Sequence, residues 1–195
     1  MELTVNNTPI ADALALHAAA SLFDAQRGKL SRAEDLRRSP DGVAVARQIS
    51  ELGQLITDLG DEVLFRAASR DREPHTARAT TGFAAAIRPA GKAASALGAV
   101  AHQLSFLHQT EHLRDQPDAR DAREAAARVM DDALGVADTA LCEAADSLHA
   151  ASATLSPPAA RLQAARHRST TATPAPSPVD APAVAVAPDR TTRSR

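Results

Sequence analysis

Residues 45–63 read VARQISELGQLITDLGDEV. Val45, Ile49, Leu52, Ile56, Leu59 and Val63 follow one another at intervals of four, three, four, three and four. On a helix of 3.6 residues per turn this spacing holds all of them on one stripe, the seam of a coiled coil or bundle helix. Leu55 and Leu64 widen the stripe, while Glu51, Asp58, Asp61 and Glu62 fall outside it and are expected to face water. Ser39-Pro40 is a start signal, because a hydroxyl can accept from free amide groups and proline fits the first helical position. The spacing therefore predicts a helix from about Pro40 to about Arg70.

The same rhythm returns twice downstream. Phe83, Ile87, Ala90, Ala94, Leu97, Ala101 and Leu104 form a second seam, in a helix expected to be capped by Thr76 and to run to about Arg114. Between Gly82 and Leu107 its only charged residues are Arg88 and Lys92, so it should be buried on several sides. Pro89 lies inside it and predicts a kink or break near Ala86–Pro89. Met130, Leu134, Ala137, Leu141, Ala144, Leu148, Ala151 and Leu155 form the third seam. Pro117 opens that helix, Asp118 and Asp121 suit the positive end of its dipole, and Pro157-Pro158 stops it. Glu124 and Arg128 are spaced to pair on its surface.

Upstream, Thr8-Pro9 is another start signal and Gly28 a plausible stop. In the helix between them, Ile10, Leu14, Ala18 and Leu22 recur every four residues and lie on one face. Four helical segments with short connections predict an all-α fold, an antiparallel four-helix bundle over residues 1–155 in which the first helix is the shortest. Beyond it the character changes. Seven of the twelve prolines lie after Ser156 and no apolar period survives, so residues 156–195 read as a disordered Pro/Ala/Thr/Arg-rich tail, with a short helical stretch allowed from Pro158 to Arg168.

Composition agrees. The chain of 195 residues has no Trp, no Tyr and four Phe, leaving little from which to build a sheet, and its abundant alanine favours helix. The net charge is -2, with an acidic folded part and an Arg-bearing tail that lacks stacking aromatics. Nucleic acid is therefore not an expected partner. The N-terminus has no signal-peptide pattern, and the longest weakly polar run, Ala93 to Leu107, is too short to span a bilayer. No membrane partner and a cytoplasmic address are the corresponding expectations. The lone Cys142 excludes an internal disulfide framework.

Few motifs carry chemistry. His108-Gln109-Thr110-Glu111-His112 matches H-x-x-E-H, which in inverted zinc proteases places two imidazoles on one helical face with a glutamate as base. A zinc site needs a third protein ligand, and no later helix carries an obvious partner glutamate. The alternative is that these residues close the end of the third helix, where histidine suits the dipole. Cys142 lies one step off the last seam, as a small hydrophobe would. His17, His75, His102, His149 and His167 have no ligand-like spacing, and Gly82, Gly91 and Gly98 form no phosphate-binding loop. Without Trp or Tyr, the turn motif of small secreted helical hairpins of the WXG type is excluded.

No catalytic, cofactor-binding or metal-binding residue is therefore assigned, and the chain is not expected to be an enzyme. The expected function is protein–protein interaction or self-association, with a protein partner or a homo-oligomer. The alternative is a small-molecule-binding or sensory bundle, its ligand held near Pro89.

Overall fold

Thr8 starts the first helix in the way its neighbour Pro9 implies. Its hydroxyl accepts a hydrogen bond from Ala11 N–H at 3.2 Å, and Pro9 occupies the first turn. The computed structural model describes residues 8–30, 40–68 and 73–156. Within them lie α1 (Pro9–Gly28), α2 (Gly42–Ala68), α3 (Pro74–Gln109) and α4 (Pro117–Leu155), with a short 3-10 turn at Glu111–Leu113. The fold is an all-α helical bundle, no strand occurs among the described residues, and α1 is the shortest of the four α-helices they contain. The connector at 31–39, the segment at 69–72 and the tail from 157 onward lie outside the described residues, so the expected disorder and the Pro158–Arg168 helix concern positions not described.

Boundaries depart from expectation where a better capping group stands nearby. Helix α2 begins at Gly42, where Asp41 meets the free amides: its Oδ1 accepts from Val43 N–H at 3.0 Å; Ser39 lies outside the described residues. Helix α3 begins at Pro74, and Thr76 is buried in its first turn instead of capping it. The proline already supplies first-turn geometry, so the helix can start before the threonine. Helix α3 ends at Gln109, where the Thr110 hydroxyl donates to Phe106 O at 2.8 Å. It is continuous through Pro89, so of the expected kink or break the break does not occur. The carbonyl that loses its donor belongs to Ala85, an exposed position where water can substitute.

The core follows the heptads. Val45, Leu52 and Leu59 of α2 are buried and Ile49, Ile56 and Val63 half-buried; in α4 the whole seam is buried except half-buried Ala151. Leu64 is a correction. It does not widen the α2 stripe but is exposed, because one step past Val63 turns it about 100° around the helix. Glu51 and Glu62 are half-buried, not fully in water.

Helix α3 is central, packing on α4, α2 and, less extensively, α1, while α1 leans mainly on α4. Twelve α3 residues are buried, five of them alanine, with Gly82, Phe83, Leu97 and Val100 among the others, as an almost uncharged helix requires. Small residues bring α3 and α4 close. A Cβ placed on Gly82 would lie 2.7 Å from Ala151 Cβ and 3.1 Å from Leu16 Cδ2, so three helices converge there. Contacts between α3 and α4 run in opposite order along the two helices: Gly82 meets Ala151, Arg88 meets Glu143, and Leu107 O accepts from Arg123. The same holds between α1 and α4, where Ser152 Oγ donates to Ala13 O at 2.7 Å and Arg27 pairs with Asp138. No helix among the described residues is long and apolar enough to cross a membrane.

Candidate functional site: the outer face of α1

Helix α1 carries two apolar stripes. Ala13, Leu16, Ala20 and Phe23 are buried in the core. Ile10, Leu14 and Leu22 are 54%, 63% and 51% exposed, and Ala11, Ala18 and Ala25 beside them are exposed too. At about 100° per residue the second stripe points directly away from the first. The four-residue repeat of Ile10, Leu14, Ala18 and Leu22 thus marks the outer face of the bundle. No Asp, Glu, Lys or Arg occurs between Asp12 and Asp24, so the middle of this face has no formal charge. Scattered exposed leucines are ordinary; several on one uncharged ridge form a patch of the kind used in association.

The edges of α1 are polar and hold the ridge in place. Toward α4, Arg27 Nε donates to Asp138 Oδ1 at 2.6 Å, and His149 Nε2 lies 3.1 Å from Asp24 Oδ2. The Arg27 hydrogen bond holds the Asp138 carboxyl below the usual carboxylate range, against the opposing effect of partial burial. The ring of His17 stands 5.2 Å from that of His149. Toward α2, Gln26 O accepts from Gln48 Nε2 at 2.8 Å, and Glu51 accepts from both Gln26 and Lys29, bonds that lower its pKa.

A buried ionic cluster anchors the start of α1. Asp12 is almost wholly buried, and its Oδ1 accepts from Arg66 Nη2 at 3.0 Å and Nε at 3.2 Å. Arg66 also binds Glu62 and lies 4.7 Å above the Phe83 ring, a cation–π arrangement. His75 Nε2 is 3.8 Å from Asp12 Oδ2 and its Nδ1 is 3.3 Å from Glu73. Buried charges must be paired, and this cluster draws on α1, α2 and α3 at one point.

The residues singled out for chemistry are not brought together. His108 is exposed near the end of α3, and Glu111 and His112 lie in the 3-10 turn. Glu111 accepts from Arg123 at 2.8 Å and from Arg114 at 3.3 Å. Among the described residues no group of three His, Cys, Asp or Glu is arranged to hold a metal ion. Cys142 is half-buried, and its Sγ donates to Asp146 Oδ2 at 3.4 Å. That hydrogen bond, with desolvation, pushes the thiol pKa up, the reverse of what a nucleophile needs. Pro89 is buried in α3. An open groove of about 760 Å³ lies at the far end of α3, lined by Ala46, Ala101, Leu104, Leu107, His108 and Arg123 among others.

Compared with known protein families, curated proteins and solved structures, the chain matches none. The reading of its site therefore rests on its own residues. Sequence reasoning found the α1 ridge but not its direction. The signal was the presence of two competing apolar stripes on one helix.

Proposed function

We propose that this protein is a non-enzymatic interaction module that docks through the outer face of α1 onto another helical surface. The observation that carries this reading is the exposed ridge of Ile10, Leu14, Ala18 and Leu22, uncharged along its middle and directly opposite the core stripe. The buried seam of α3 packs on α4, α2 and α1, which favours the outer face of α1 over it as the docking surface. A helical ridge against a complementary helical surface is a common recognition mode, with leucines every turn as anchors.

The test is the double variant Leu14→Glu/Leu22→Glu in the full chain. Both side chains are exposed, so helicity and melting temperature should stay close to wild type, within about 0.5 kcal/mol. Sedimentation velocity and a pull-down with matched baits should both lose the association that wild type shows. Unchanged association by both measurements would sink the reading.

A second reading has one observation in its favour, the groove at the far end of α3. Its lining mixes apolar Ala46, Ala101, Leu104 and Leu107 with polar His108, Glu111 and Arg123, a composition suited to a small amphipathic ligand. Such a ligand would raise the melting temperature, and Leu104→Asp would abolish that rise while leaving α1-mediated association intact.

A further inference from the structure

We propose that α2 is a detachable lid on the bundle, one that leaves α3 as a unit while α1, α3 and α4 stay folded. This opening is separate from the docking role of α1 and does not rest on it.

The support of α2 differs from that of the other helices. Helix α1 lies against both α4 and α3, and α3 lies against all three of its neighbours, whereas α2 comes close along its length only to α3. Little apolar surface holds it there. Over 27 residues α2 buries three apolar side chains, Val45, Leu52 and Leu59, and the other members of its seam, Ile49, Ile56 and Val63, are half-buried. Helix α1 buries four over 20 residues and shares them between two neighbours. Hydrophobic stabilisation follows the apolar area removed from water, so α2 is held less firmly for its length than α1.

Between α2 and α1 the space is bridged by long polar side chains, in two groups. Near the end of α2, Arg66 reaches Asp12. Nearer its start, Gln48 Nε2 donates to Gln26 O, and Glu51 accepts from Gln26 and Lys29. These groups act as latches, and each leaves one oxygen over. Asp12 Oδ2 and Gln26 Oε1 are the buried side-chain atoms without a hydrogen-bond partner among the described residues, and one sits in each latch. A buried oxygen without a donor raises the free energy of the closed state, and water relieves it when the lid opens. The Asp12–Arg66 pair behaves alike, since hydration on opening returns much of what separating the charges takes away. The apolar seam of α3 with α4 has no such return and stays closed. Opening bares the α2-facing side of α3 and frees a segment with unbroken heptads.

The experiment is native-state hydrogen exchange on the full chain, under conditions where exchange reports the opening equilibrium. Mid-helix amides of α2 should be at least about tenfold less protected than the slowest of α1, α3 and α4. Two variants separate the opening of α2 alone from the opening of the whole domain. Ser152→Ala removes the hydrogen bond to Ala13 O that ties α4 to α1, and Leu148→Ala thins the buried α4 seam. Both contacts survive the departure of α2. Each variant should lower the protection of α1, α3 and α4 by about fivefold or more, and leave that of α2 within about twofold of wild type. Equal protection of α2 and α4 in the wild type overturns the proposal. So does a fall of α2 protection in step with α4 in either variant, which would mean that α2 opens only with the whole domain. An α1 that shares the low protection of α2 overturns it as well, because two helices would then leave together.

Discussion

Helices α3 and α1 both pack on α4, and they do so by different means. The α3–α4 contact joins two seams rich in small apolar residues and comes so close at Gly82 that a Cβ there would meet Ala151 Cβ at 2.7 Å. The α1 contact uses fewer large side chains, chiefly Leu16 and Phe23, and places ionic and hydrogen-bonded groups along its edges. A helix with apolar residues on one stripe has a single face to bury. A helix with two such stripes must be oriented by something else, and in α1 that role falls to polar edges. What remains outside is available for a partner.

The sharpest way to break this contrast is to charge the seam. Leu97 is wholly buried at the middle of α3. Leu97→Asp would place a carboxylate where no cation lies on the seam, at a cost above about 5 kcal/mol, comparable to the whole stability of a domain this size. Circular dichroism should report an unfolded or molten chain. A cooperative melt near the wild-type temperature would mean that the α3 seam is not the core.

The polar side of the contrast predicts the next effect. Arg66→Met keeps most of the stem that covers Phe83 but leaves Asp12 buried without its cation. Removing one partner of a buried pair costs about 3–5 kcal/mol. Adding Asp12→Leu to the same chain should recover most of that loss, because two apolar residues replace a pair whose desolvation nearly cancels its attraction. If the double variant instead melts as low as Arg66→Met, the pair contributes net stability and not merely the placement of α1.

Gly82→Ala should have a smaller effect whose sign is informative. Alanine favours helix over glycine by about 1 kcal/mol. Its Cβ would meet Ala151 Cβ at 2.7 Å, and a Cβ cannot rotate away because it is fixed to its own backbone. Overpacking of about 1–3 kcal/mol should win, lowering the thermal midpoint. Ala151→Gly in the same chain should restore much of the loss. A stabilised single variant would show that α3 and α4 can move apart at little cost, and the tight seam would not be a constraint.

These effects explain what could be read in advance. The seams of α2, α3 and α4 were legible because their apolar residues keep to one stripe, and heptad spacing then has one solution. The direction of α1 was not, because Ile10, Leu14 and Leu22 compete with Ala13, Leu16, Ala20 and Phe23, and its buried face carries Asp12 and Gln26, which composition alone assigns to water. The side-chain partners that satisfy them, Arg66 and Glu51, lie 54 and 25 residues away along the chain, beyond any local pattern. The pairing of His149 with Asp24 was hidden for the same reason, at a separation of 125. Leu64 misled by sitting next to a true core position.

The smallest prediction concerns the α1–α4 edge and its dependence on pH. Arg27 lowers the pKa of Asp138 in the folded chain. A depressed folded pKa means that the unfolded chain binds the proton more readily, so the pair contributes its stability at neutral pH, and loses it as the pH falls from about 4 through the depressed value. Both side chains are nearly half exposed, so water and salt screen the pair and its contribution should be below about 1 kcal/mol. Asp138→Asn should therefore melt slightly lower than wild type at pH 7, and the two curves should converge toward pH 3. High salt should narrow the neutral-pH gap as well. A gap that persists unchanged at low pH would assign the loss to packing around residue 138, leaving the apolar residues of α1 as its principal hold on α4.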